Sequence, residues 1–360
     1  MSIFNLDYFA LALSFFGSLI GTYFLIPIII RVAKRNHLMD SPNDRSSHSH
    51  FTPRIGGIAF FINFVLGFYI LRRFDMVINV STILIPAVLI LFVIGINDDL
   101  LSVTPRKKFM AQFLGAILIS FHTEFHIHNL HGFLGIAEMS DFASIPLEVI
   151  GLVFLINAFN LIDGIDGLAS TLSIIIFASY GAFFYYLQLY FYLGVCLIGM
   201  GTLLAFLRYN VSHQRSKKIF MGDSGSLTLG FMIGILTVKF LNLKPFSLHD
   251  LPIDAGKIPF IVLAILFIPV FDTLRVFLVR LSKGKSPFKA DRIHIHHLLI
   301  DHLQLSHKKA TFCIGIFQII VILTTFFCLN QSKIFLWGLI LSLIAVYFLA
   351  TFILYRKLKN

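Results

Sequence analysis

The stretch VINVSTILIPAVLILFVIGINDDL, residues 77–100, runs through twenty mostly apolar residues into two adjacent carboxylates, Asp98 and Asp99. A helix needs about 20 apolar residues to cross a bilayer. Residues 77–96 therefore read as a membrane span with acids at one end. Working outward, similar runs fall near 8–30, 55–71, 108–121, 146–160, 168–186, 189–207, 225–242, 258–279, 311–330 and 334–354, which predicts about eleven spans. The first reads as a retained span and not a cleaved leader, because no basic residues precede it and Arg31, Lys34 and Arg35 follow it. The expected fold is an all-α polytopic transmembrane bundle, a single integral-membrane domain over 1–360.

Composition agrees. Of 360 residues, 57% are hydrophobic and 13% charged, with mean hydropathy +0.86, whereas a soluble domain carries about 25% charged residues. A soluble enzyme is excluded. Cys196, Cys313 and Cys328 each sit in an apolar run, so neither a disulfide framework nor a zinc knuckle is indicated. The net charge of +11 is distributed by topology. With the N-terminus outside, the inward segments 31–54, 97–108, 208–218, 275–309 and 355–360 carry 23 of the 29 Lys and Arg. This asymmetry accounts for the charge without nucleic acid and predicts attraction to anionic lipid headgroups.

Acidic residues are few, so their grouping carries information. Asp98, Asp99, Asp163, Asp166, Asp223 and Asp272 fall at span ends on the inward side. Ionisable groups near a bilayer are costly and usually line a functional cavity, which predicts one cytoplasm-facing catalytic cleft. Adjacent Asp98 and Asp99 suit a hard divalent cation such as Mg²⁺, and Arg106, Lys107 and Lys108 follow for phosphates. In NAFNLIDGIDGLA (157–169), Asn157, Asn160, Asp163 and Asp166 recur every three residues on one side of a helix. Gly164 and Gly167 are expected to open that helix towards a ligand. FMGDSGS (220–226) leads a glycine-rich backbone into a helix N-terminus, a phosphate-binding arrangement, and offers Asp223 to a metal. SPFKADRIHIHHL (286–298) is basic and His-rich, suited to a diphosphate through Arg292, His294, His296 and His297. His122, His126, His128 and His131 fall outside and receive no catalytic role.

These pieces, with PRIGG (53–57) and NDDL (97–100), resemble the polyprenyl-phosphate N-acetylhexosamine-1-phosphate transferase family. The loop at 286–298 is similar to the bacterial UDP-N-acetylglucosamine branch. The phospho-MurNAc-pentapeptide transferase branch carries three consecutive His there, where this chain has HIHH. The resemblance implies Mg²⁺ or Mn²⁺, a UDP-N-acetylhexosamine donor, undecaprenyl phosphate as acceptor and release of UMP in the bacterial inner membrane, as the first membrane step of a cell-envelope glycan. It implies catalytic roles for Asp98, Asp99 and Asp223, with Asn160 beside them at the metal. It further places Lys108 on the diphosphate, Asp166 near the uracil, and Arg292, His294, His296 and His297 over the diphosphate and sugar. Asn157 and Asp163 complete the expected substrate-binding set. Asp98 is the expected base, although a double displacement with Asp98 as nucleophile stays open. A homodimer also stays open. Two other classes fit worse. The Asp-Gly-x-x-Ala-Arg core of CDP-alcohol phosphatidyltransferases is out of phase, since Ala169 is followed by Ser170. A transporter would place its acids at mid-membrane in related repeats.

Overall fold

The computed structural model of the chain describes residues 3–39, 51–74, 79–243, 253–288 and 291–357. Four of the basic residues counted above, Arg45, Lys244, Lys289 and Lys359, lie outside these segments. Thirteen α-helices are described: α1 (Ile3–Arg35), α2 (Gly57–Leu71), α3 (Val80–Leu101), α4 (Pro105–Ile119), α5 (Asp141–Ile162), α6 (Leu168–Tyr186), α7 (Tyr190–Asn210), α8 (Gly222–Leu241), α9 (Ile258–Ile265), α10 (Phe267–Leu281), α11 (Ile295–Leu303), α12 (His307–Phe327) and α13 (Lys333–Lys357). Among the described residues, nine helices are long and apolar enough to cross a membrane, or ten with the bent pair α9–α10 taken as one span. The chain is a multi-pass, all-α membrane protein.

Two expected spans differ. The run at 108–121 forms α4, whose 15 residues extend about 22 Å, short of an apolar bilayer core about 30 Å thick. Thr104 and Pro105 start this helix after a turn at Ser102 with φ 55°, and it ends at Ile119. The run at 258–279 is broken at Leu266 by a 69° bend. Pro269 explains the break: it has no N–H to bond the Ile265 carbonyl, and its ring crowds that oxygen. Freed backbone groups inside a bilayer need partners, and Gln318 of α12 supplies them. Its amide nitrogen donates to Ala264 O (2.8 Å) and Ile265 O (3.0 Å), and its oxygen accepts from Ile268 N (3.0 Å).

Helix α8 is the central column. Every residue in it except Lys239 and Leu241 is buried, and it packs on α5, α3 and α2. Four glycines (Gly222, Gly225, Gly230 and Gly234) and several Ser and Thr residues allow this close approach, as in other membrane bundles. A second polar node ties α1, α2 and α7 together: Asn63 Nδ2 donates to Thr22 Oγ1 (2.5 Å), Thr202 Oγ1 (3.1 Å) and Ser18 O (3.2 Å).

The one departure from all-helix among the described residues is an antiparallel hairpin, β1 (Asn129–Phe133) with β2 (Ile136–Glu138). Its two-residue loop, Leu134-Gly135, has both φ values positive (54° and 78°), as a type I′ turn requires. Phe133 stacks on Trp337 at 4.7 Å and meets Phe260 edge-on at 5.4 Å. This cap covers the end of the bundle opposite Asp98 and Asp99, because it lies between the far ends of α4 and α5.

Candidate active site

At the other end, the start of α2, the finish of α3 and the start of α8 meet. The PRIGG segment pairs with the chain before α8 through Phe220 N to Pro53 O (2.8 Å), Gly56 N to Phe220 O (3.1 Å) and Gly57 N to Met221 O (2.9 Å). Two glycines make the approach possible. Gly222 has φ +71°, and a Cβ there would lie 1.8 Å from Arg54 O and 2.5 Å from Asp99 Oδ2. A Cβ on Gly95 would lie 2.5 Å from Ser224 Cα.

This convergence settles what Asp99 touches. Its Oδ1 accepts from Asp223 N (2.7 Å), and its Oδ2 accepts from Ser224 N (3.0 Å) and Ser224 Oγ (2.7 Å). A carboxylate from α3 thus caps the N-terminus of α8, satisfying donors that have no partner within the helix and complementing its dipole. Asp98 differs. Its Oδ1 accepts from Val103 N (2.7 Å), while its Oδ2 takes a 2.8 Å hydrogen bond from Lys108 Nζ. The same ammonium also donates to Asp223 Oδ2, and Arg54 Nη2 stands 3.8 Å from Asp223 Oδ1. Lys108, from the short α4, therefore bridges carboxylates 125 positions apart in sequence (223 − 98). Arg54 was not among the expected site residues, although it lies in PRIGG.

Along the turn after α5, Asn160 Nδ2 donates to Ser226 Oγ at 2.9 Å, which commits its nitrogen and leaves its oxygen as the atom to present to a cation. Asp163 lies where it feels several other acids. Burial, then the charge on Asp223, push its carboxyl up to about 7; Arg54 opposes them, while Asp99 and Asp166 add to the rise. Asp166 accepts from Lys218 Nζ at 2.5 Å and lies 3.4 Å from His307 Nδ1. Burial alone would raise its pKa, but hydrogen bonds from His307 and Lys218 hold it below the usual carboxylate range. Asn157 is differently engaged. It donates to Gln112 Oε1 (2.6 Å) and to Val153 O (2.7 Å), joining α4 to α5 beside an apolar cavity of about 380 Å³ lined by Phe109, Phe113, Phe154 and Phe288.

The His-rich loop meets this cleft at Gly164. His296 Nε2 abuts Gly164, where a Cβ would lie 2.3 Å from it. Asp272 does not join the other acids, contrary to the expected grouping. It is fully buried and holds the loop, accepting from His294 Nδ1 (2.7 Å), Ile295 N (3.2 Å), Arg275 Nη2 (2.7 Å) and Tyr347 Oη (2.8 Å). Arg280 anchors the preceding turn through Asp291 (3.1 and 2.8 Å). Arg292 makes a bidentate pair with Asp301, at 3.2 and 2.9 Å, so a diphosphate would have to compete with that carboxylate.

Of the imidazoles expected to donate to a diphosphate, His296 and His297 are held uncharged. Burial, then the neighbouring His297 and His294, hold His296 far below the ordinary histidine value, and burial with Arg292 brings His297 down to about 4. Both are neutral near pH 7. Between about pH 6.5 and 4 the unfolded chain takes up a proton at His297 that the folded chain refuses, so stability falls as pH drops through that window and is complete above it. Melting temperature measured from pH 7 to pH 4 should decline, and His297→Asn should flatten the decline.

The oxygen donors also fit a hard divalent cation. Burial first, and then the negative charge of Asp223, Asp99 and Asp166, drive Asp163 towards neutrality, and a cation would offset that charge. Among the described residues no three His, Cys, Asp or Glu already stand in ligating geometry.

An all-helical membrane protein with acids, an ammonium and a guanidinium gathered at one helix-end junction has the equipment of a phosphoryl-transfer enzyme. Residues 81–241 match the family described as glycosyl transferase family 4. The chain is 32% identical over 310 residues to a probable undecaprenyl-phosphate N-acetylglucosaminyl 1-phosphate transferase of Bacillus subtilis, covering 84% of this chain and 81% of the relative. It is 31% identical over 273 residues to the undecaprenyl-phosphate alpha-N-acetylglucosaminyl 1-phosphate transferase of Escherichia coli (75% and 71% covered). It is 32% identical over 332 residues to the phospho-N-acetylmuramoyl-pentapeptide-transferase of Staphylococcus carnosus (84% and 93% covered). The chain belongs to the polyprenyl-phosphate N-acetylhexosamine-1-phosphate transferase family.

Proposed function

We propose that the protein transfers N-acetylglucosamine 1-phosphate from UDP-N-acetylglucosamine to undecaprenyl phosphate at the cytoplasmic face of a bacterial inner membrane. A lipid phosphate oxygen attacks the phosphorus that carries the sugar, the bond from that phosphorus to the bridging oxygen breaks, and UMP leaves. The observation that carries this reading is the Lys108 ammonium shared by Asp98 and Asp223, with Arg54 beside them. Substrate phosphates arriving there would draw Lys108 and Arg54 onto their oxygens. That frees Asp98 to accept the proton of the lipid phosphate, whose second pKa is about 6 by analogy with phosphoserine.

Asp223, Asp98 and the Asn160 oxygen would hold Mg²⁺ or Mn²⁺, which when bound neutralises charge on the transferring phosphates. Asp99 positions Asp223 by holding the start of α8. Asp166, with Lys218 and His307, lies on the nucleotide side, and His296 packs over the turn that presents Asp163, with His294 and His297 against its ring. With His296 and His297 uncharged, positive charge for the diphosphate comes from Lys108, Arg54, Arg292 and the metal.

Purified protein should release UMP from UDP-N-acetylglucosamine only when polyprenyl phosphate is present. A preference for the MurNAc-pentapeptide donor would move the protein to the branch of the Staphylococcus carnosus relative. Chelation should abolish turnover, and Mg²⁺ or Mn²⁺ should restore it; activity persisting in chelator would remove the metal from the mechanism. The orientation is tested separately. A cysteine replacing Ser216 should react only with reagent on the cytoplasmic side, and one replacing Thr123 only with reagent outside.

A further inference from the structure

A second cavity, of about 320 Å³, lies between α1 and α7 and is lined by Tyr23, Arg31, Lys34, Arg208, Tyr209 and Lys217 among others. Four of its lining residues are cations and none is an acid. Several basic side chains elsewhere are paired with acids, as in Arg73 with Asp7, Lys333 with Asp254, Arg280 with Asp291 and Arg292 with Asp301. Here the contacts made by the described residues leave the positive charge uncompensated. Lys34 Nζ donates to Ser216 O (3.0 Å), Arg31 Nε donates to Pro27 O (3.3 Å), and the Arg208 guanidinium lies 5.3 Å from the Tyr23 ring centre. Tyr209 Oη donates to Tyr23 O at 2.9 Å, fixing α7 to α1 and shaping the wall.

Like charges gathered around one cavity repel unless an anion sits among them. The cavity stands at the helix ends that border the membrane surface, the last turns of α1 and α7. From it, Phe24, Ile28 and Val32 run along α1 as an exposed apolar ridge with a spacing of four residues, able to carry acyl chains. A soluble anion would have no use for that ridge.

We propose that this cavity binds the phosphate headgroup of an anionic phospholipid, a site separate from the carboxylate cleft and independent of the reaction assigned to it. The loop that closes it also serves the cleft. Lys217 lines the cavity while the next residue, Lys218, pairs with Asp166. A bound headgroup therefore restrains the segment that presents Lys218.

The test uses the full chain in neutral detergent, with phospholipid adducts counted by native mass spectrometry. The wild-type protein should retain phosphatidylglycerol in preference to phosphatidylcholine. At about fivefold per cation near a membrane surface, the combined variant Arg31→Gln, Arg208→Gln, Lys217→Gln should bind phosphatidylglycerol on the order of a hundredfold more weakly. A matched variant away from the cavity, Arg106→Gln, Lys308→Gln, Lys309→Gln, should lose less than about threefold. The charge-retaining exchange Arg31→Lys, Arg208→Lys, Lys217→Arg should keep most of the binding, which separates lost charge from a damaged fold. Equal losses in the two neutralised variants would reduce the effect to general surface attraction and overturn the site. Displacement of the lipid by millimolar glycerol phosphate would assign the cavity to a soluble phosphate instead, and equal retention of both lipids would overturn it outright.

Discussion

Asp98→Asn should lower turnover by about 10²–10⁴-fold, the range for removing a general base, while the purified protein keeps its melting temperature within a few degrees. The amide is nearly the same size as the carboxylate and can still accept from Val103 N, which holds Asp98 Oδ1 at 2.7 Å. It cannot take a proton from the lipid phosphate, and it pairs poorly with the Lys108 ammonium. The Michaelis constant for the nucleotide-sugar should change far less than kcat, because Asp166 and Lys218 are untouched. A variant retaining full turnover would remove Asp98 from proton transfer. Asp99→Asn provides the contrast. Asp99 accepts three hydrogen bonds from Asp223 and Ser224, so its replacement should reduce melting temperature and turnover together, with partial recovery in Asp99→Glu.

Asp272→Ala should be among the most destabilising single substitutions in the chain. Removing one partner of a buried ion pair costs about 3–5 kcal/mol, because the charge left behind has no solvent to return to. Arg275 is 5% exposed and would lose its carboxylate partner, and Tyr347 and His294 would each lose an acceptor. Detergent-solubilised protein should melt well below the wild type. Asp166→Ala should behave differently: its pairs with Lys218 and His307 stand at the partly solvated mouth, so stability should change little while the donor Michaelis constant rises. If Asp272→Ala melted like the wild type, the loop at 291–297 would have to be held by something other than this carboxylate.

The contrast between these two acids shows where reading the sequence succeeds. NDDL, the Asn-Asp stripe and GDSGS each place polar groups next to apolar helix, and that local pattern predicts the junction where Asp98, Asn160, Asp163 and Asp223 meet. Asp272 carries the same outward sign, an acid in an apolar run. Its partners His294 and Tyr347 lie 22 and 75 residues away, so no local spacing separates it from the acids of the cleft. The Arg292 and Asp301 pair is hidden for the same reason, and with it the neutral, buried state of His296. Arg54 could have been found, because PRIGG joins a cation to two glycines at the start of a span. Gln318 is a further case, since its role exists only because Pro269 breaks a neighbouring helix. Hydropathy alone does not register where a helix begins, so the polar first turn of α4, with Arg106 and Lys107, falls outside the apolar run at 108–121.

The contact of Gly95 with Ser224 and the packing of Gly222 under Asp99 leave only short side chains between those backbones, and these are tied by hydrogen bonds. Rotamer changes are the usual means by which a protein interior yields to a new shape, and this junction has few to offer. The catalytic acids are therefore set in the stiffest part of the bundle, as though mounted on a single block. Accommodation of donors of different bulk must come from the opposite wall, where layered imidazoles and an arginine held by a surface carboxylate separate the loop from the turn at Gly164. Differences in sugar preference between relatives are accordingly expected to map to that loop, with the α2–α3–α8 junction unchanged in shape.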